Sequence, residues 1–241
     1  MIVLGIETSG PVGSIALRRD GRCVEERFLP ELGRRHAQSL VPETAAFLAR
    51  HGLEPTAIDA VAVSVGPGSF TGLRVGVTFA KTFAYATGAS LIAVETFPAI
   101  AGNTPAAESV CVIADAQRRG LMLGNYVRGH DGRFERRGEI RLVTPDELPK
   151  CAASARLLTG PGLARVTLGD EWTCRTAPLH LRTPRASLVA ELGEFRFRAG
   201  NVADVRSLEP LYVRKSAAEE KRDAALGTSS ALGMETASPA L

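Results

Sequence analysis

The feature that most constrains this chain is the run Gly66-Pro67-Gly68-Ser69-Phe70-Thr71-Gly72-Leu73-Arg74-Val75-Gly76, set directly after the apolar stretch Ala60-Val61-Ala62-Val63-Ser64-Val65. A buried strand, a glycine turn and then a helix aims backbone N–H groups at an anion or lets another backbone come close. The spacing excludes two common nucleotide loops. A Walker loop needs Lys and then Ser or Thr after its last glycine, whereas Gly72 is followed by Leu73 and Arg74; a dinucleotide fingerprint needs G-x-G-x-x-G, and Gly66, Gly68 and Gly72 are one residue too widely spaced.

The helix expected over residues 72–87 carries Gly72, Gly76, Ala80 and Ala84 at every fourth position, so one face is nearly bare. Two readings fit that face: close packing inside the domain, or an interface with another chain. Phe79 and Phe83 line an adjacent face and read as core.

Around this helix the pattern predicts strands over 2–7, 12–18 and 23–29, the last two joined at Asp20-Gly21, a hairpin signal. A helix follows over 36–51 with Gly52 as its C-cap, then the strand 61–65, the helix 72–87 ended by Gly88, a strand over 91–94 and a short helix over 96–101. Three antiparallel strands followed by β-α crossovers imply a mixed sheet covered by helices. A similar rhythm returns with strands over 110–114, 121–127 and 133–142 and helices near 145–152 and 186–199. This predicts a second, related lobe without a clean sequence repeat. The expected division is an N-terminal lobe over 1–103, a C-terminal lobe over 104–215 and a tail over 216–241 that begins helical and becomes disordered.

At 241 residues the chain can bury a substantial core, and its 45% apolar and 23% charged residues are ordinary for a globular protein. A net charge of +3 is too small for a dedicated nucleic-acid binder. No apolar run approaches the roughly 18 residues that span a bilayer, and the first residues read as a strand, not a signal peptide. Cys23, Cys111, Cys151 and Cys174 are scattered, which favours free thiols in a reducing cytoplasm over disulfides or a metal site. No His pair, H-E-x-x-H or G-x-S-x-G pattern supplies a metal site or an activated nucleophile.

Two strand ends carry candidate chemistry. Glu7-Thr8-Ser9 precedes Gly10-Pro11-Val12-Gly13-Ser14, a hairpin whose hydroxyls and N–H groups could face a phosphate, with Glu7 able to hold a cation through water. Asp115, ending the first strand of the second lobe, could face a cleft between lobes or cap its own turn. Gly160-Pro161-Gly162 is a second possible point of backbone approach.

Ile6-Glu7-Thr8-Ser9, His36-x-x-x-Leu40-x-Pro42, the Gly66–Gly76 loop, Asp115-Ala116 and Pro210-Leu211-Tyr212-Val213-Arg214 together resemble the TsaB (YeaZ) family over residues 1 to about 215. The resemblance implies an α/β protein of the two-lobed actin-like, Hsp70-like and sugar-kinase-like ATPase fold, with mixed sheets and helices. It further implies a role in making threonylcarbamoyladenosine in tRNA. The expected role is a non-catalytic scaffold in the cytoplasm that binds and activates the related transferase TsaD. The ATPase TsaE would join through that pair, tRNA would be met indirectly, and a homodimer could form when TsaD is absent. No cofactor of its own is expected beyond weak ATP or ADP binding, for which Glu7, Ser9 and Asp115 are the candidates. The partner surface is expected at His36, Gly68, Phe70, Gly72, Arg74, Gly76, Ala80 and Ala84. TsaD resembles Val-Asn-His-Met-Glu-Gly-His where this chain has Val94-Glu95-Thr96-Phe97-Pro98-Ala99-Ile100, so Thr96 and Ile100 replace two metal-binding His. The stretch Gln117-Arg118-Arg119 departs from the family's usual Arg and Glu-Val-Tyr continuation. A small kinase of the same superfamily and, last, a glycoprotease are the alternatives.

Overall fold

A computed structural model describes residues 1–30, 36–116, 120–169, 172 and 174–213, with backbone assignment alone at 36 and 37. Gln117 to Arg119, Arg214 and the 216–241 tail lie outside the described residues.

The first sheet contains β1 (Ile2–Glu7), β2 (Ser14–Arg19), β3 (Arg22–Phe28), β4 (Ala60–Gly66) and β5 (Ser90–Glu95) in the order β3-β2-β1-β4-β5. β1 pairs antiparallel with β2 and parallel with β4. Side chains alternate across a strand, so Leu4, Ile6, Val61 and Val63 point to one face and Val3, Ala60 and Ala62 to the other. α1 (His36–Arg50) and α2 (Phe70–Thr87) cover the first face through Leu40, Phe47, Leu48, Val77 and Ala80.

The second sheet contains β6 (Ser109–Asp115), β7 (Leu121–Arg128), β8 (Phe134–Val143), β9 (Leu157–Thr159) and β10 (Arg175–Thr176) in the order β10-β9-β6-β7-β8. β6, β7 and β8 form an antiparallel meander, while β9 runs parallel to β6 and β10 parallel to β9. This is the strand order of the first sheet repeated. The two lobes are thus the duplicated mixed sheets of the actin-like fold. The short strands β9 and β10 were not legible in the sequence, because runs of three and two residues are too brief to show a period. α3 (Thr96–Gly102) packs on one face of this sheet through Phe97, Ile100 and Ala101, and α4 (Leu148–Ala152) on the other through Leu148 and Ala152.

The C-terminal part of the chain returns to the first lobe. α5 (Ala186–Arg198) lies on the second face of the first sheet, with Val189 and Ala190 against Val3, Ala60, Ala62, Ile92 and Val94. A Cβ on Gly5 would stand 2.4 Å from the Ala186 carbonyl oxygen, and one on Gly193 would stand 2.3 Å from the Ala62 Cβ. Small residues on both sides let helix and sheet meet this closely. Residues 201–213 then run along α2, with Leu211 N donating to Val65 O and Lys81 Nζ to the carbonyls of Arg206 and Leu208. α5 and the segment through Leu208 therefore pack on the first sheet, within the range expected for a C-terminal lobe over 104–215, while Val213 packs with Phe97, Ile100 and Met122 on the second. Among the described residues, no helix is long and apolar enough to cross a membrane.

Candidate functional site: an inter-lobe cleft and the outer face of α2

The glycine run exists so that the start of α2 can sit on the β1–β2 hairpin. Ser69 caps the helix by accepting from Gly72 N at 3.3 Å, and its own N–H donates to Ser9 O at 2.8 Å. Thr8 Oγ1 donates to Gly72 O at 2.7 Å. A Cβ would stand 1.9 Å from Thr8 O at Gly72, 2.3 Å from Thr8 Oγ1 at Gly76 and 2.7 Å from Ser9 Cβ at Gly68. Gly72, Gly76, Ala80 and Ala84 are all buried within their own lobe. The expectation that these four form a partner surface is corrected: Gly72 and Gly76 pack on Thr8 of the β1–β2 hairpin, and Ala80 and Ala84 lie in the core of the first sheet. Gly68 is half-buried and lines the cleft, not an outer surface.

That cleft, of about 400 Å³, opens between the two sheets. Ser9, Pro67 and Ser69 line one wall, Asp115, Pro161 and Arg165 the other, and Thr96 and Ile100 of α3 lie between them. The walls are built alike. Gly66-Pro67-Gly68 ends β4 and Gly160-Pro161-Gly162 follows β9, strands that hold equivalent places in the two sheets. Gly66 has φ of 120° and Gly160 of 110°, a region favouring glycine. Cβ atoms at Gly160 and Gly162 would stand 2.1 and 2.9 Å from Ile113 backbone atoms. Glu7 ends β1 as Asp115 ends β6. The structure thus gathers the sequence candidates Ser9 and Asp115 on one cleft, with Glu7 beneath Ser9.

Their environments differ. Asp115 pairs with Arg165 at 2.8 Å near the surface. Glu7 is completely buried, and burial pushes its carboxyl above the ordinary glutamate range. Glu7 Oε1 accepts from Ser9 N. Hydrogen bonds from the hydroxyls of Ser9 and Ser64 to the carboxyl partly offset the rise, while Thr96 Oγ1 has no hydrogen-bond partner among the described residues.

The positions that resemble the metal-binding His of TsaD both face the cleft, as Thr96 and Ile100. Ile100 has no ligating atom, and a lone threonine hydroxyl replaces the other imidazole, so the residues present do not fit that metal. Among the described residues no group of three His, Cys, Asp or Glu could hold a metal ion.

Outside the cleft, the solvent side of α2 presents Thr71, Arg74, Thr78, Thr82, Tyr85 and Ala86. Arg74 is the single charge among them. Its guanidinium lies 4.0 Å from the Phe70 ring centre and its Nε donates to Tyr212 Oη at 3.0 Å, while the Phe70 and Tyr212 rings sit 4.9 Å apart. Phe70 and Arg74 are therefore surface residues tied to the C-terminal segment. Tyr85 is 86% exposed, and Val41 of the neighbouring α1 is 61% exposed. The sequence reading passed over Thr78, Thr82, Tyr85 and Val41. The signal was the scarcity of charge in an 18-residue surface helix whose other cation, Lys81, is bound to backbone carbonyls. The side chain of His36 lies outside the described residues.

Comparison with known proteins completes the site. Residues 28–166 match the family described as TsaD, tRNA N6-adenosine threonylcarbamoyltransferase. The tRNA threonylcarbamoyladenosine biosynthesis protein TsaB of Bacillus subtilis is 28% identical over 92% of this chain and 97% of its own length. An uncharacterized protein of Mycobacterium tuberculosis H37Rv is 33% identical over 88% of this chain and 92% of its own. A crystal structure from Pseudomonas aeruginosa, described as similar to peptidase YeaZ, superposes with a TM-score of 0.75 at 26% identity, covering 88% of this chain and 99% of that one. With the duplicated fold and the replaced metal positions, these matches establish that the chain belongs to the TsaB/YeaZ family of tRNA threonylcarbamoyladenosine biosynthesis, relatives of TsaD.

Proposed function

We propose that this protein is a non-catalytic partner of a TsaD-type transferase, docking it through the outward faces of α1 and α2. The observation that carries this reading is the outer face of α2: short hydroxyl side chains, an exposed Tyr85 and one charge, Arg74. A helix face facing only water ordinarily carries charged side chains. One of short, uncharged side chains suits close packing against another helix. Docking activates the transferase to the extent that the surface fits its active conformation better than its inactive one. TsaE would join the pair, tRNA would be met through it, and a second copy of this chain could occupy the same face when TsaD is absent. This reading places the protein in the cytoplasm.

The cleft does not suit a nucleotide polyphosphate, and that weakens the kinase reading. The α2 N-terminus, where phosphate would sit, is engaged by Ser69 Oγ and the Ser9–Ser69 contact. Among the described residues the one cation on the cleft lining, Arg165, is paired with Asp115.

Thr78→Arg tests the docking surface, because position 78 is exposed and tolerates a long side chain within the monomer. The expected result is an unchanged melting temperature with loss of co-purification with TsaD of the same organism and loss of tRNA modification in the reconstituted system. Full binding and modification by Thr78→Arg would place the partner elsewhere. Robust ATP turnover by the isolated wild-type protein would favour the kinase alternative.

A further inference from the structure

The one charge on the outer face of α2 has no counter-charge. Among the described residues Arg18, Arg27, Arg136 and Arg165 each pair with a carboxylate of this chain. The contacts of Arg74 are instead aromatic rings and a hydroxyl. Its guanidinium lies 4.0 Å from the Phe70 ring centre and 5.9 Å from that of Tyr212, and Nε donates to Tyr212 Oη at 3.0 Å. These contacts orient the guanidinium and engage one of its three nitrogens. Nη1 and Nη2 carry no hydrogen bond to the described residues, and together they form a fork that matches a carboxylate. A guanidinium already held in one orientation loses little further freedom on binding.

A second copy of the same face does not supply the missing charge. α2 contains no Asp or Glu, and the one acid of α1, Glu43, pairs with Arg27 at 3.1 Å. Two copies meeting through α1 and α2 would bring two Arg74 side chains to an interface whose helices offer no free carboxylate. A charge taken from water without a partner weakens an interface. We propose that Arg74 recognises a carboxylate side chain of the TsaD-type partner, and that this ion pair makes the outer face of α2 prefer that partner to a second copy of this chain. The pair presupposes the docking through α1 and α2 proposed above and adds selectivity to it. Thr71, Thr78 and Thr82 accept any closely fitting helix, whereas Arg74 penalises one that brings no acid.

The experiment measures binding of the full chain to TsaD of the same organism, and self-association of the full chain, at low and high salt. The wild type is compared with Arg74→Gln, Arg74→Lys, Tyr212→Phe and Thr78→Arg. The expected result is that Arg74→Gln binds TsaD about 10–100-fold more weakly, with Arg74→Lys between it and the wild type. Added salt weakens the wild type more than Arg74→Gln. Self-association of Arg74→Gln is unchanged or stronger. Tyr212→Phe removes the internal hydrogen bond but keeps the charge, and is expected to bind TsaD far more tightly than Arg74→Gln. If Arg74→Gln binds as the wild type does while Thr78→Arg fails to bind, the ion pair is overturned and the docking face stands. Equal losses in Tyr212→Phe and Arg74→Gln would make Arg74 an internal brace and overturn the ion pair. A parallel loss of self-association in Arg74→Gln would overturn the preference for TsaD. Undiminished binding by both Arg74→Gln and Thr78→Arg would place the partner elsewhere and overturn the docking face and the ion pair together.

Discussion

The two sheets share one strand order, but the first has kept its helices and the second has nearly lost them. After the fully buried seven-residue β4 the chain makes Gly66-Pro67-Gly68 and then the 18-residue α2. After the three-residue β9 it makes Gly160-Pro161-Gly162 and then only a five-residue 3₁₀ turn, Pro161–Arg165. The 15-residue α1 has a five-residue counterpart in α4. The glycine turns persist in both lobes because the backbone approach they allow builds the cleft walls. The long helices α1, α2 and α5 all lie on the first sheet. Duplication fixed the frame, and the frame tolerates unequal use of its two halves.

The sharpest way to break this comparison is to separate the halves. Residues 1–103 contain every strand of the first sheet but not α5, so Val3, Ala60, Ala62, Ile92 and Val94 would face water. A bare apolar sheet face is an aggregation surface. The expected outcome is that the fragment 1–103 is insoluble or unfolds without cooperativity, and that co-expression with 104–213 restores a cooperative transition. A cooperative transition from 1–103 alone would make the first lobe an independent domain.

Next come the glycine turns. Gly160→Ala combines a left-handed φ with a Cβ 2.1 Å from Ile113 O in the central strand, and should cost about 3–5 kcal/mol. Gly72→Ala meets Thr8 O at 1.9 Å without a left-handed φ, and the hairpin bearing Thr8 can shift; about 2–3 kcal/mol is expected. Gly132→Ala is the control, with φ of 81° and open space around its Cβ, and should cost only about 1–2 kcal/mol. Urea unfolding of the three variants gives the order. If Gly160→Ala costs no more than Gly132→Ala, the second turn is not held by its neighbour strand.

Much of the first lobe was legible because its strands and helices are long enough for their periods to show, and because Asp20-Gly21, Gly52 and Gly88 mark their ends. Glu7, Ser9 and Asp115 were legible as strand-end polar residues, since such ends face a cleft in this kind of sheet. Two things were not. The stripe Gly72, Gly76, Ala80 and Ala84 states that something approaches closely, but not whether it is the chain's own hairpin or another molecule. The docking of α5 on the first sheet rests on Gly5, Ala62, Ala190 and Gly193, residues far apart in sequence whose fit exists only in three dimensions.

A milder test concerns how the C-terminal segment braces the first lobe. Tyr212 stacks near Phe70 and accepts from Arg74 Nε, a link with no counterpart described on the second lobe. Tyr212→Ala should lower stability by about 0.5–1.5 kcal/mol. It should also raise proteolysis within residues 201–213. Unchanged stability and cleavage would show that Leu211 N to Val65 O and the Lys81 contacts hold the segment unaided.

The smallest effect is expected from pH. Asp204 accepts from Arg206 N at 2.7 Å, Ser207 N at 2.8 Å and Ser207 Oγ at 3.1 Å, closing the turn that places the Arg206 and Leu208 carbonyls against Lys81. The Ser207 and Arg206 N–H groups hold its carboxyl below the ordinary aspartate range. A folded-state pKa below the unfolded one means that the contribution is present above the ordinary range and is lost as pH falls through the lowered value. Full solvent exposure keeps the energy small, so the readout is local. Amide exchange at Arg206 and Ser207, corrected for its intrinsic acid dependence, should accelerate in the wild-type protein as pH falls below the ordinary aspartate range. In Asp204→Asn it should already be faster at neutral pH and show no such step. A turn equally protected in both proteins would mean that packing of Ala203, Val205 and Leu208 on the first lobe sets its geometry, with the carboxylate only following.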